Sequence, residues 1–584
     1  MTSPLVLATC TPGTSGSFVL IPTPTASQNG WGVPVLLAAY RQANPKYNCW
    51  LSANPWLKPV DWSSGIMCGA VNNGTCPSNS TIADDLTPFI SSYGKPLTIS
   101  LDLNTTKVAS WDGFGTGLAW WGQMVGNSSF EALHTSLYYS TTPTISVNVV
   151  PTPAAAGLAA PAAYTTSVPG LGFNIVRYNI GGTGAKTDAP GVEQYSQRNA
   201  TTGVESASFT PDEKTWWYLT PGFWIKNDST AWDWSRDFNQ RSLLKSIYNS
   251  NIPNVWIEFF SGAPMWWMTD ANSSLGGNLL PNMTSLFPYY VAKVVNQSIA
   301  DWKINVSSVE ILNEPSGGWW NFPNAQEGMN VKNSTLRLQL LNSLRKSLNQ
   351  TFNLKNVNIS GCDENSPVYA IWNDLENVLA TVDKFNIHSY NNNDALRGLL
   401  SSKVPPTKPF WQSEYGDGDQ LGITLGYTIA HDINIMNIRA WMNWQVVDQG
   451  GWGAVFIVPG VNSTDPGRGQ ITKINPKYHI VGQYSRYIRP KDVILGSTDS
   501  SNTVVAFDGS KYKIIVGNYA SQRPVTLNLT SIAVKRGVPY LTGPLLYSFT
   551  SPTNGSFSVT GSLNVTNNLV NFAADAFAVY SVIV

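Results

Sequence analysis

The sequence predicts an α/β protein: a (β/α)8 TIM barrel with a side antiparallel β-sandwich domain. Three observations carry that expectation. Between about 110 and 448, short β-type runs recur, separated by stretches long enough for a helix. After Asn475 the rhythm changes to closely spaced alternating runs with turn residues between them. The chain has 584 residues, more than one ordinary domain holds. The expected division is a cysteine-containing, irregular appendage over 1–95, a barrel over 96–490 and a sandwich over 491–584, with 96–110 alternatively a strand of the sandwich.

Residues 1–95 are rich in Pro, Ser, Thr, Asn and Gly and show no sustained periodicity. The stretch from Pro96 to Leu103 alternates and reads as a strand. Eight barrel strands are then expected: Trp111–Thr116, Gly172–Asn179, Asn254–Phe260, Val309–Asn313, Val357–Ser360, Lys384–His388, Pro409–Ser413 and Ile438–Trp444. Helical stretches lie between them, such as Ser334–Leu348, whose leucines recur at helical spacing. An Ala/Pro/Thr-rich patch from Pro151 to Ser167 reads as a surface excursion. Pro476–Tyr487 is the expected last helix. The sandwich strands are expected at Thr503–Phe507, Tyr512–Val516, Val525–Leu529, Leu545–Phe549, Ser556–Val559, Leu569–Phe572 and Ala576–Val582.

Composition narrows the partners. Thirty-six basic and thirty-six acidic side chains cancel, and charged residues make up only 12% of the chain. Nothing there attracts nucleic acid or an anionic membrane. The 23 Trp and 24 Tyr suit a neutral polysaccharide, because the apolar face of a sugar ring stacks on indole. Four pairs stand out at expected loops or strand ends: Trp120–Trp121, Trp216–Trp217, Trp266–Trp267 and Trp319–Trp320. No run of apolar residues is long enough to span a membrane. A monomer acting outside the cell is expected. Asn-x-Ser/Thr sequons are dense, among them Asn73, Asn79, Asn104, Asn127, Asn227, Asn272, Asn333, Asn349, Asn528 and Asn564. The first residues make a poor signal peptide, so a secreted chain is argued from the density of sequons together with the low charge. Cys10, Cys49, Cys68 and Cys76 fit no zinc pattern and are expected to form disulfides in one of three pairings. Cys362 stands apart and reads as a buried thiol.

In such a barrel the chemistry sits at the C-terminal ends of the strands. Two expected strands run into carboxylates there. Val309-Glu-Ile-Leu-Asn-Glu-Pro315 delivers Glu314, and Pro409-Phe-Trp-Gln-Ser-Glu-Tyr-Gly416 delivers Glu414, 100 residues later. That gap spans about three βα units and places them on strands four and seven. Cleaving a glycosidic bond takes two flanking carboxyl groups. One protonates the departing oxygen, and the other attacks the anomeric carbon or activates water. Glu314 is the expected acid/base and Glu414 the expected nucleophile. A carboxylate at a helix N-terminus is the plainer account of Glu314, and the second glutamate argues against it. Around them, Asn313 could hold a sugar 2-hydroxyl and Arg177 could keep the nucleophile ionised. Tyr390 could donate to that carboxylate, His388 could line the site, and Trp444 could form a platform under the sugar. Trp266 and Asp417 are further substrate-binding candidates, although Asp417-Gly-Asp419 also reads as a turn. No metal or cofactor motif is present, and none is expected to be needed.

These residues resemble glycoside hydrolase family 30, and within it the endo-β-1,6-galactanase group. The resemblance covers about 108–584. It rests on ordered pieces: Trp111-Asp-Gly-Phe-Gly-Thr-Gly-Leu-Ala-Trp-Trp-Gly122, Leu171-Gly-Phe-Asn-Ile-Val-Arg-Tyr-Asn179 and Ser261-Gly-Ala-Pro-Met-Trp-Trp-Met268. Ile311-Leu-Asn-Glu-Pro315, Gln326-Glu-Gly328, Asn386-Ile-His-Ser-Tyr390, Trp411-Gln-Ser-Glu-Tyr-Gly-Asp-Gly-Asp419 and Tyr484-Ser-Arg-Tyr-Ile-Arg-Pro490 follow in the same order. It implies a barrel with a side sandwich, a retaining mechanism without cofactor, and β-1,6-galactan side chains of arabinogalactan as substrate. It gives Glu314 and Glu414 the roles derived above. A β-1,6-glucanase or glucosylceramidase of the same family, and a non-catalytic carbohydrate-binding glycoprotein, are the competing readings. The sequons carry their own expectation: enzymatic deglycosylation of secreted material should lower its mass by several glycans, and an unchanged mass would remove the argument for a secretory route.

Overall fold

The computed structural model describes residues 95–584, apart from 153–159, 190–191, 199–204, 210–218, 323, 325, 449–450, 459, 461–464, 520–521 and 552–555, together with the strand residues 16–18, 47–51 and 66–70. Side chains are not described for those three early strands, nor for 184–189, 192–198, 205–209 and 556–559. The expected disulfides and the Trp216–Trp217 pair fall outside the described side chains. Cys362 is a free, buried thiol.

Eight strands close a parallel barrel. They are β1 (Gly113–Gly117), β2 (Ile175–Asn179), β3 (Trp256–Phe260), β4 (Ser308–Glu310), β5 (Asn358–Glu364), β6 (Lys384–His388), β7 (Phe410–Tyr415) and β8 (Ala440–Asn443). Each pairs in parallel with its sequence neighbour, and β8 closes on β1. Every residue of β2 and β6 is buried, as expected of strands covered on both faces. Two boundaries differ from the sequence reading where it matters. β4 stops at Glu310 rather than Asn313, because the next residues peel away and Glu314 N donates instead to Asp363 O at 2.8 Å. β5 runs on to Glu364 rather than ending at Ser360, carrying its acidic tail into the barrel mouth.

The barrel interior is layered. Trp256 and Trp411 meet edge-on at 5.0 Å between ring centroids, beside Ile175, Ala440 and Met442. Above them lies a polar layer of Arg177, Glu258, Asp363, Lys384 and Asn386, all buried. Outside, helices such as Ser334–Lys346 pack on the strands. Asn333 caps that helix, its side chain accepting from Thr335 N and Leu336 N at 2.9 and 3.3 Å.

The side domain is built on nine hydrogen-bonded strands. It differs from the expected antiparallel sandwich at one seam. The strand Leu97–Val108 is long enough to serve two sheets. Its first residues pair in parallel with Arg523–Asn528, and its later ones pair antiparallel with Val493–Ser497, a strand the sequence reading missed. Ile99, Leu101, Val505, Ile514, Val525, Leu527 and Val570 fill the space between the sheets. Alternate residues on the other face, Val504, Ala506, Ile515 and Val579, join the barrel core. The period of two in these strands therefore decides which residue stabilises the sandwich and which the domain junction. The helix Pro476–Ser485 completes the junction, with Gln483 Nε2 donating to Ser548 and Thr550 at 3.1 and 3.0 Å.

β1 and β2 approach closely enough that only glycine fits at position 115: a Cβ there would lie 2.2 Å from the Ile175 carbonyl oxygen. Gly115→Ala should therefore force the strands apart and lower the melting temperature by several degrees, on the order of 1–3 kcal/mol. An unchanged melting curve would mean that the barrel tolerates a wider β1–β2 spacing.

Candidate active site

The C-terminal mouth of the barrel opens into a cleft of about 1040 Å³. Glu314 and Glu414 both line it, and a carboxylate oxygen of each lies within 4.8 Å of one on the other. Glu414 sits on β7, within the parallel ladder. Glu314 sits past the end of β4 with φ of +47°, a left-handed conformation that costs an ordinary residue on the order of 1 kcal/mol or more. The surroundings hold it there. Its N–H is bound by Asp363, and its carbonyl accepts from Trp320 Nε1 at 3.3 Å. Its carboxylate accepts from Asn365 Nδ2 at 2.7 Å and from Trp319 Nε1 at 2.9 Å. No helix follows Glu314, so the helix-terminus account of this residue does not apply.

Glu414 has fewer partners. Tyr390 OH donates to Oε1 at 3.1 Å, and Oε2 has no hydrogen bond. Burial raises its pKa to about 7; His388 and Arg177 pull it down, while Glu314 and Asp363 push it up. The Tyr390 hydroxyl is pushed well above its ordinary range by burial and by the two glutamates, so it stays a donor.

His388 lies between the pair, its Nδ1 3.1 Å from Glu314 Oε1 and 3.4 Å from Glu414 Oε1, with Nε2 3.7 Å from Asp363. Burial alone would favour the neutral ring. Glu414, Asp363 and Glu314 outweigh it and raise its pKa to about 10, so the ring is an imidazolium over the neutral range. It does not line the cleft as the sequence suggested but supports it from below, fully buried. Arg177 is likewise beneath the floor, 1% exposed. Its strong partners are Asp363, Glu258 (3.0 Å) and the Ser413 carbonyl (3.1 Å), and Glu414 is only its distant neighbour at 3.9 Å. Asp363 is held well below the usual carboxylate range, because Arg177, His388 and Ser413 overcome the cost of its burial. Glu310 is pushed the other way, well above the usual carboxylate range, by burial and by Asp363 and Glu258.

Asn313, Tyr390 and Trp444 line the cleft. Trp444 meets Trp120 edge-on at 5.4 Å. Two other candidates do not reach it. Trp266 is partly buried against the hydrophobic core, and Asp417 is tied to Lys477 Nζ at 3.0 Å within a turn that leads into the next helix. Trp120 and Trp320, each from a Trp pair that stands out in the sequence, line the cleft, and several lining residues went unassigned in the sequence: Asn179, Asn365, Asp448 and Trp452 among them. Their signal was weak, since most lie on loops beyond the strand ends. Glu327 also lines the wall. It accepts from Gly182 N, Thr183 Oγ1 and Thr220 N at 3.0, 2.8 and 3.2 Å, clasping the loop after β2.

A closed barrel with two carboxyl groups facing each other across its mouth is the arrangement of a glycoside hydrolase, and the comparisons with known proteins give the same class. The chain is 29% identical over 450 residues to an endo-β-1,6-galactanase of Hypocrea rufa, covering 74% of this chain and 83% of that protein. Among solved structures it shares its fold with a conserved exported protein from Bacteroides fragilis (TM-score 0.62, 15% identity, 83% of this chain and all of that one). The catalytic domain of a family 30 xylanase C from Talaromyces cellulolyticus has the same fold (TM-score 0.58, 14% identity, with the same coverage). No family profile matches the chain. The chain is thus a glycoside hydrolase. Its sequence kinship is with the endo-β-1,6-galactanase group, and its fold is that of family 30 enzymes.

The raised pKa of Glu414 has a consequence for stability. Its folded value, about 7, stands above the ordinary 4.5. Between those values the unfolded chain holds fewer protons at this site than the native one, so native stability falls as pH rises through the window. Glu414→Gln removes that loss. It should melt a few degrees above the wild type near pH 8 and level with it near pH 4. An equal shift at both would show that this carboxyl does not titrate in the window.

Proposed function

We propose that this protein is a secreted, retaining endo-β-1,6-galactanase acting on the β-1,6-galactan side chains of arabinogalactan. The observation that carries the mechanism is the approach of Glu314 and Glu414 to within 4.8 Å. That approach suits direct attack through a covalent intermediate. An inverting enzyme holds its carboxyl groups about 6.5–9.5 Å apart to admit a water. The Hypocrea rufa relative supports the substrate. The sequons support the secretory route, and no described helix is long and apolar enough to cross a membrane.

In this reading the sugar to be transferred stacks on Trp444, and Asn313 receives its 2-hydroxyl. Glu414 attacks the anomeric carbon while Glu314 gives a proton to the departing oxygen. The glycosyl–enzyme ester is then opened by water, from which Glu314 takes the proton, and the product keeps the β configuration. Two features favour Glu414 as nucleophile. One of its oxygens has no hydrogen bond, and Tyr390 and the His388 cation beside it steady the carboxylate. Two features favour Glu314 as proton donor. Trp319 and Asn365 orient its carboxyl group, and it sits on the edge of the cleft rather than within the ladder. No cofactor enters the scheme.

Glu414→Ala should lose activity by about 10³-fold or more, with azide restoring part of it as an external nucleophile. Glu314→Gln should lose about 10²–10⁴-fold on polymer and far less on aryl glycosides, whose leaving group needs little protonation. Near-normal activity of Glu414→Ala would overturn the assignment. Proton NMR of the first product formed from arabinose-stripped β-1,6-galactan should show the β anomer. Cleavage of β-1,6-glucan, xylan or glucosylceramide in its place would keep the two-glutamate mechanism and replace the substrate.

A further inference from the structure

The helix after β5 begins two residues beyond Asn365, which lines the cleft. Asn365 donates to Glu314 and lies just beyond the end of β5. The helix, Pro367–Trp372, is short and has proline in its first turn. Trp372 ends that helix with 79% of its surface exposed, the most open large hydrophobic side chain among the described residues. A single exposed aliphatic residue is ordinary on any protein surface and would need no account. An indole is different. It is the side chain with most to gain from burial, and here the fold leaves it open at the end of the helix that follows β5.

Its position is not isolated. Tyr369 precedes it by three residues, so the two side chains stand on neighbouring sides of the helix. The Tyr369 ring meets Trp319 edge-on, with centroids 5.6 Å apart and planes at 83°. Trp319 in turn donates its indole N–H to Glu314 Oε2 at 2.9 Å. Trp319 and Tyr369 thus lead outward from the proton-donating carboxyl group, and Trp372 follows Tyr369 by three residues on the same helix. The helix that carries the last two spans about 9 Å, long enough to follow a chain leaving the cleft. A group that protonates the leaving oxygen faces the leaving half of the substrate, so this is the side on which the remainder of a polymer must lie.

We propose that Tyr369 and Trp372 form an aromatic rail that binds the sugar residues of the polymer beyond the leaving group. The ligand is a neutral hexopyranosyl chain, whose apolar ring faces stack on the exposed indole while its hydroxyls stay in water. The inference deepens the galactanase reading and rests on it for the identity of the sugar. It implies a preference for polymer over short substrates, since a chain that ends at the leaving group cannot reach the rail.

The test uses the full chain with Trp372→Ala and two substrates: long, arabinose-stripped β-1,6-galactan, and an activated aryl β-1,6-galactobioside whose aryl group ends beside the scissile bond. The variant should raise KM on the polymer about tenfold with little change in kcat, and leave both constants on the aryl substrate unchanged. Trp372→Phe should recover most of the loss, because a smaller ring still stacks. Equal polymer-to-aryl ratios in variant and wild type would overturn the rail. So would a matched fall on both substrates, which would place the effect in the fold or the catalytic pair. If the wild type leaves galactan intact and cuts another β-glycan, the galactanase reading falls. The same ratio measured on that glycan, against its own aryl disaccharide, then judges the rail by itself.

Discussion

Arg177 is the point on which the site depends. It stands inside the barrel with its guanidinium shared between Glu258, Asp363 and the backbone carbonyl of Ser413. Those partners belong to β3, β5 and β7, so one planar cation fixes three strands and reaches the carboxylate of Glu414 at its edge. A buried ion pair is costly to make and weak as a source of stability, but removing one member strands the rest, at about 3–5 kcal/mol. Such a layer holds geometry more than it holds the fold together. Lys384 and His388 add two further cations on β6, against Glu258 below and Asp363 above. The two glutamates therefore lie over a floor of buried, fixed charge, with Asn365, Trp319 and Tyr390 holding their carboxyl groups from the cleft side.

The two glutamates are held in different ways, and the difference matches their proposed work. Glu314 is clamped, with donors on both carboxylate oxygens and a backbone twisted into the left-handed region by Asp363 and Trp320. Its direction is fixed at a cost in local conformation. Glu414 lies in an unstrained strand but is short of hydrogen bonds, and burial raises its pKa. Its reactivity comes from poor solvation, at a cost in stability at neutral pH. Strain and under-solvation are the two forms in which a native structure stores free energy at a site, and here each carboxyl group carries one.

Much of this was legible in the sequence. The alternation of apolar runs with helix-length stretches located all eight barrel strands, and a glutamate at the end of a run was a sound guide to the cleft. The failures share a cause. β5 was ended at Ser360, so Asp363 and Asn365, which bind Arg177 and Glu314, were passed over. Asp, Glu and Asn do not look like strand residues, and only a charged partner across the barrel makes them so. His388 reads in the sequence as a residue lining the site, because polar residues at strand ends usually face the cleft, and the barrel instead turns it inward beside buried acids. Arg177 reads as the cation beside the nucleophile; it stands 3.9 Å from Glu414 but gives its close contacts to Glu258, Asp363 and the Ser413 carbonyl. Trp266 and Asp417 were misplaced because neither clustering nor charge tells which way a loop turns.

The sequence by itself determined the class of fold, the two carboxyl groups and their order along the chain. Those follow from local patterns of period two and three to four, and from residues next to the strands that present them. Tertiary structure alone decided how far apart the two groups stand, which polar residues lie beneath the floor and which line the wall, and where the exposed aromatic residues point. These depend on closure of the barrel, which brings residues 314 and 414 to within 4.8 Å and sets residue 177 under both. No local pattern records that closure, because it is a property of all eight strands together.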